Sequence, residues 1–326
     1  MNVFFQPACA QAGYISVSVV TEILEDYHRS GFTGLLQLAP THDNYYALVL
    51  VRGQINSIYR TTAYDATSLP GSKWPEIEAS LPSSKVYSLS VTPATLRLAR
   101  VILEQGRRGE RQTIETSELL PTLGVLSSAP QPSAIHMEWD NAEAAAFLPG
   151  NKQPPANSAW AASQFLEGVN LFDIPNFWKE PNVQIFRYAA SLYSEAWNVY
   201  LLHNVFTRLA NRCLQKYTEL AGSAVTASLC RAASLNAAKN GWDIRLQPLN
   251  LFDDEVFANP EAAANAYRSL LNTIVHHIHA VLGKTLLDSI IKSFFQEADP
   301  FTLRILQKYT LLPAAMTAQF TPAEKK

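Results

Sequence analysis

"YYALVLVRGQINSIYR", residues Tyr45 to Arg60, sets aromatic and β-branched residues on both sides of an Arg52-Gly53 pair. That composition reads as two strands joined by a tight turn. Just upstream, "FTGLLQLAP" from Phe32 to Pro40 is a further short strand. Before it, "ISVSVVTEILEDYHRSG" places Val17, Val20, Ile23, Leu24 and Tyr27 on one helical stripe. Ser16 or Ser18 can cap the start of that helix, and Gly31 can close its end. A helix followed by a three-stranded meander must bury one sheet face, and the helix is the nearest partner.

This order, a helix, then "SGFTGLLQL", then "YYALVLVRGQINSIYR", resembles the PATAN (PatA amino-terminal) domain of bacterial signalling proteins over about residues 14–62. Gly34, Leu35, Gly53 and Ile55 fit the family pattern of a strand opening on Gly-x-Leu and a strand ending in a glycine turn with an apolar residue two positions on. Ser57 stands near the end of the third strand, where members carry a small residue, with the bulkier Ile58 and Tyr59 after it. The resemblance implies a non-catalytic interaction domain in a regulatory pathway; the receiver domain usually attached has no visible counterpart.

Farther on, "KVYSLSV" alternates as a strand. "TPATLRLARVILEQG" is a helix with Thr92 as cap, Pro93 in the first turn and Gly106 at its end. Ile114 and Glu118 to Leu123 suit a short strand and a helical turn, and "SAIHMEWDNAEAAAFLPG" suits one or two strands or a strand–helix corner. Prolines and polar residues cluster from Gly150 to Ser158, the best linker candidate. The expected class is therefore α+β: a sheet-and-helix domain over residues 1–150, then an all-helical domain over 151–326.

The helical part carries an apparent repeat, at about 198–245 and 259–306. Arg208 to Ala233 aligns without a gap on Ser269 to Phe294 at an offset of 61 residues. Leu209 meets Leu270, Asn211 meets Asn272, Gly222 meets Gly283 and Ser228 meets Ser289. Each copy reads as an amphipathic helix, a glycine break and a second helix, and two such hairpins can bury their stripes together. The alignment bears on "TIVHHIHAVLG", where three of the four residues from 276 to 279 are histidine. His276, His277 and His279 fall opposite Gln215, Lys216 and Thr218, and helical geometry puts them off the apolar stripe. His276 and His279 could share a metal, with His203 approaching through the fold, but zinc wants three or four ligands and adjoining positions supply none. A solvated or partner-facing flank is the expectation.

Composition bounds the rest. With 48% apolar and 17% charged residues, the chain can bury a sizeable core. A net charge of −2 gives no global field for nucleic acid or anionic membrane. Arg97, Arg100, Arg107, Arg108 and Arg111 read as helix-end charge running into a solvated loop. Three scattered cysteines suit a reducing compartment, and no apolar run is long enough for membrane insertion, so a cytoplasmic protein is expected. "LGKTLL" lacks the first glycine of a phosphate loop, since position 278 is Ile. Glu138 and Asp140 read as solvent-facing strand alternates. Asp253, Asp254 and Glu255 sit just ahead of a helix start, where acidic charge is favourable. Tyr193, Trp197 and Tyr200 recur at helical spacing, as core residues do. Phe177 and Trp178, between Pro175 and Pro181, read as an apolar loop tip for partner or interdomain contact.

No catalytic residue and no cofactor is assigned. The expected function is a non-catalytic regulatory or scaffold protein that docks protein partners in bacterial signalling. Self-association into a homo-oligomer is open to it through an edge strand or an apolar helix flank. The alternative is a small-molecule, haem or metal sensor using a pocket in the helical domain, with His203, His276 or His279 involved.

Overall fold

The structure, a computed structural model, describes residues 13–41, 44–62, 66–106, 109–139, 143–150, 156–161, 165–167 and 181–313, with the backbone alone for the two short segments between 156 and 167. The chain is α+β, sheet-rich in its amino-terminal part and mostly helical after that. It divides into two compact units, Met1–Ala196 and Trp197–Lys326. Among the described residues no helix is long and apolar enough to cross a membrane.

In the first unit, α1 (Val17–Ser30), β1 (Gly34–Thr41), β2 (Asn44–Val51) and β3 (Gln54–Thr61) form the expected helix and meander. Gly31 ends α1 in the left-handed region (φ 67°, ψ 33°). Arg52 and Gly53 turn β2 into β3, both at positive φ (50° and 76°), the sense of turn that matches strand twist. β4 (Ala66–Pro70) extends the meander and the short α2 (Trp74–Glu78) follows. β5 (Lys85–Ser90) then returns to the free edge of β1, giving the order β4-β3-β2-β1-β5. α3 (Pro93–Gln105) comes next, with the Thr92 hydroxyl accepting the Thr95 N–H at 3.3 Å.

The same plan is then laid down again. β6 (Glu110–Glu115) and α4 (Leu119–Ser127) precede the meander β7 (Ser133–Glu138), β8 (Glu143–Leu148), β9 (Ala156–Ala161) and β10 (Phe165–Glu167). β11 (Asn182–Ala189) returns to the free edge of β7, and the order is β10-β9-β8-β7-β11-β6. The registers coincide from Gly34 to Leu38 and from Ser133 to Met137; beyond that β1–β2 shifts register and β7–β8 does not. Gly34 faces Leu50 and Ser90, as Ser133 faces Leu148 and Ala189. Gln37 faces Ala47 and Tyr87, as His136 faces Ala145 and Phe186. Even the edge strand has a trace in the first half. A lone bridge joins Ile15, ahead of α1, to Ser84, ahead of β5, where β6 pairs fully with β11.

Each sheet buries one face under its own leading helix. α1, with Trp74 and Leu81, covers Leu36, Leu38, Leu48, Leu50 and Ile58. α4 covers Ile135, Met137, Ala144, Ala146 and Ile185. Each fully buried Leu or Ile there stabilises the fold by about 1.5–3 kcal/mol. The opposite, inner faces share α3, which touches β1 to β4 and also β7 to β9. A helix between two sheets has no solvent side, and every residue from Thr95 to Leu103 is buried. Arg97 and Arg100 are therefore interior, not solvated as expected; Arg107 and Arg108 lie outside the described residues. Glu104, near the end of α3, accepts from the Ser194 hydroxyl (2.6 Å) and the N–H groups of Glu195 (3.1 Å) and Ala196 (2.8 Å), fixing the start of the next helix.

The expected boundary at 150/151 is corrected by this layout. β9 and β11, which follow it, pair with β8 and β7, so the second sheet continues past that boundary, and the first compact unit runs to Ala196. The proposed linker is interrupted by β9 from Ala156, and the all-helix reading from Ser158 onward fails for the same reason. Tyr193 is fully exposed on the turn before the helix, whereas Trp197 and Tyr200 are core residues.

α5 (Glu195–Ala221) leads into the second unit, which holds α6 (Ser223–Lys239), a small hairpin of β12 (Ile244–Gln247) and β13 (Asn250–Asp253), α7 (Pro260–Leu282), α8 (Lys284–Glu297) and α9 (Pro300–Lys308). Gly222 and Gly283, the two glycine breaks, have nearly the same backbone: φ 87°, ψ 160° and φ 80°, ψ 171°. Each N–H bonds four residues back at 3.0 Å, to the carbonyls of Thr218 and His279. Burial matches at the same offset: Leu214, Tyr217 and Leu229 are buried, as are Val275, Ile278 and Ile290. Leu220 and Val225 are exposed, as are Val281 and Leu286. Asn236 on α6 donates to Ser269 and Thr273 on α7, both at 3.1 Å. Arg212 on α5 reaches Glu297 at 2.7 Å.

Candidate functional site

Strand alternation decides which side chains enter the layer around α3. Ile135 and Met137 point to α4, so His136 and Glu138 point inward. Glu143, the register partner of Glu138 on β8, joins them. His136 is completely buried, and the Glu143 and Glu138 side chains are 6% and 16% exposed. The imidazole lies between the carboxylates: Nε2 is 3.3 Å from Glu143 Oε2 and Nδ1 is 3.5 Å from Glu138 Oε1. Phe186 stacks on the ring from β11, with centroids 5.9 Å apart.

Burial by itself pushes the His136 imidazole down, toward neutrality. The Glu143 hydrogen bond and the charges of Glu143 and Glu138 oppose it and prevail, so the pKa is raised above its ordinary value. Burial, with the charges of Glu138 and Glu143 and with Tyr45 from the first sheet, drives the Tyr188 phenol far up. It stays a neutral donor, bonded to the Gly106 carbonyl at 3.0 Å. Arg100 on α3 donates from Nε to the Tyr59 hydroxyl at 3.1 Å. Gln37, the first-half counterpart of His136, is also fully buried, and neither end of its amide has a hydrogen-bond partner among the described residues.

The sequence passed over this cluster. Glu138 was expected to face solvent and instead faces α3, because the sheet is covered on both sides. The available signal was an ionisable pair, His136 and Glu138, at alternate positions of an otherwise apolar strand. Among the described residues His136, Glu138 and Glu143 are also the one group of at least three His, Cys, Asp or Glu whose donor atoms lie within 4.8 Å of one another. Its geometry suits a proton better than a metal. A single ion binds one ring nitrogen of a histidine, and here the two nitrogens face different carboxylates.

The histidines singled out from sequence do not come together. His276 and His279 are exposed and His277 is half-buried on α7. His203, on α5, bonds through Nδ1 to Asp253 Oδ2 at 2.8 Å, and Tyr267 on α7 donates to the same oxygen at 2.8 Å. Asp253 is thus a buried tie between α5, β13 and α7. Phe177 and Trp178 lie outside the described residues. Burial pushes the thiols of Cys213 and Cys230 up to about 12 and about 11, so neither is a thiolate nucleophile near neutral pH.

A second feature is open to solvent. α1, the start of β3 and the Gly71–Glu78 segment enclose a groove of about 750 Å³. Leu24, Ile55, Trp74 and Pro75 give it an apolar floor, while Glu25, His28, Arg29 and Glu78 supply charge. Glu78 is held by a 2.6 Å hydrogen bond from the Thr21 hydroxyl. Gly53 and Gly71 allow the close approach that shapes the groove. A Cβ on Gly53 would lie 2.4 Å from the Tyr27 carbonyl oxygen, and one on Gly71 2.0 Å from that of Ile55.

Compared with protein-family models, with curated proteins and with solved structures, the chain matches none.

Proposed function

We propose that the chain is a non-catalytic regulatory or scaffold protein of the cytoplasm that acts in bacterial signalling by docking protein partners. The groove beside α1 carries this reading. It lies partly on the segment that resembles the PATAN domain, through α1 and the start of β3, and it joins an apolar floor to a charged rim, the layout of surfaces that bind polypeptide. The interior ionisable groups support the same reading, since His136 and Asp253 are committed to neighbours within the fold.

The test uses the full chain as bait. Proteins retained from a lysate of the source cell are compared with those retained by a Leu24→Glu variant whose melting curve matches wild type. Binding of a retained partner, remeasured with purified components, falls about tenfold or more if the groove is its site, as for a central interface residue. Equal affinity for both baits would remove the groove from the reading.

A further inference from the structure

We propose that the inner face of the second sheet is a proton-binding site: His136, clasped between Glu138 on its own strand and Glu143 on β8, carries a proton on each ring nitrogen and so locks β7 to β8. A neutral imidazole has one N–H and one lone pair. With Nδ1 turned to one carboxylate and Nε2 to the other, a neutral ring would set its lone pair against an anion. With both carboxyls ionised, the imidazolium alone offers a proton to each side, hydrogen-bonded to Glu143 and in ionic contact with Glu138. The strand register makes the same demand. Glu138 and Glu143 are directly opposed, and like charges at opposed positions repel, more so out of water. A cation between them removes the repulsion.

The other charged and titratable groups around the ring are compatible with this. Tyr188 on β11 and Tyr45 on β2 are phenols, and Tyr188 is kept neutral by its surroundings. β9 carries no ionisable residue. The cations of α3 are Arg97 and Arg100, and Arg100 is turned to Tyr59 of the first sheet. The charges that act on the ring are those of Glu143 and Glu138, the two carboxylates on either side of it. The site works as a switch in one direction. His136 has a raised folded-state pKa, so its contribution is complete below the ordinary histidine value and is lost as pH rises through the raised one. Alkalinisation then removes the cation from between the two carboxylates and weakens the tie between β7 and β8.

The test is long-range proton–nitrogen NMR of the His136 ring in the labelled full chain, from about pH 6 to about pH 9, alongside amide exchange at Ala144 and Ala146. Both ring nitrogens should be protonated at neutral pH, with a titration midpoint above about 6.5. Exchange on β8 should quicken above that midpoint in wild type and lose this step in His136→Gln. If His136→Gln does not fold, Glu143→Gln serves, because it keeps the ring and should move the midpoint down. A ring that is neutral at pH 7, exchange without a pH step, or one ring nitrogen shifted by equimolar zinc would each overturn the proposal.

Discussion

The two halves of the first unit share a backbone and differ in what they bury. At one register position the first half places Gln37, beside Ala47 and Tyr87; the second places His136, beside Ala145 and Phe186. Around Gln37 the inner face is neutral, with Ala39, Tyr45 and Ser57. Around His136 it is ionic, with Glu138 and Glu143. Strand pairing constrains the main chain and the alternation of faces, and leaves the chemistry of a doubly covered face to local compensation. An amide can stay neutral there. An imidazole needs its carboxylates, and they need it.

The largest effect follows from separating those partners. His136→Ala leaves two opposed carboxylates buried, and should lower stability by about 3–5 kcal/mol near neutral pH, read from denaturant unfolding. Making the second half resemble the first, with His136→Gln, Glu138→Ala and Glu143→Gln together, should cost less than the single change, because the buried charges leave as a set. The reciprocal experiment sharpens the contrast. Gln37→His buries an imidazole with no carboxylate, at a cost of about 1–3 kcal/mol. Burial without a counter-charge holds its folded pKa below the unfolded value, so this variant should lose further stability as pH falls. His136 in the wild type loses its contribution as pH rises. Equal pH slopes for the two histidines would break the comparison.

The sequence shows one of these halves plainly and hides the other. In the first, an amphipathic helix closed by Gly31, Val- and Leu-rich strands and an Arg-Gly turn each give a local signal, so α1 to β3 are legible, although the Ser16 hydroxyl bonds that of Ser18 and does not cap the helix. In the second, β8 is "EAAAFL", whose alanines fit a helix as well as a strand, and β9 comes directly after a proline cluster that reads as a linker. The pairing of β11 with β7 spans more than forty residues, and local patterning carries no sign of it. The inner polar layer stayed hidden for a related reason. Arg97, Arg100 and Glu138 look solvated until both sheets close over α3. The helix–glycine–helix segments were legible because their alignment is gapless and the glycines fall at matching points.

Those glycines give the next effect in size. Gly222 and Gly283 both sit at φ near 80–90° with extended ψ, a region essentially reserved for glycine, and neither has an atom within 4 Å of an added Cβ. Alanine at either place therefore meets backbone strain alone. Each variant should lose about 1–3 kcal/mol, and the two losses should agree. Agreement would show that the second unit repeats its backbone as the first unit does. A loss at one glycine only would mean that the two joints are held by different surroundings.

The smallest effect concerns the residues that first draw the eye. His276, His277 and His279 stand at the positions of Gln215, Lys216 and Thr218, on helices whose buried stripes coincide at the same offset. Unlike His136, none of them joins a group of donor atoms, and His276 meets His277 edge to face at a centroid distance of 6.4 Å. Exchanging the set for its counterparts, as His276→Gln, His277→Lys and His279→Thr, changes the outer flank of α7 without opening the core. The melting midpoint should hold, with stability within about 0.5 kcal/mol of wild type, as for surface substitutions elsewhere. Zinc should raise the midpoint of neither protein. A stabilising response to zinc that the exchange abolishes would make this flank the chemical site, and would reverse the contrast between a buried histidine with a task and exposed ones without.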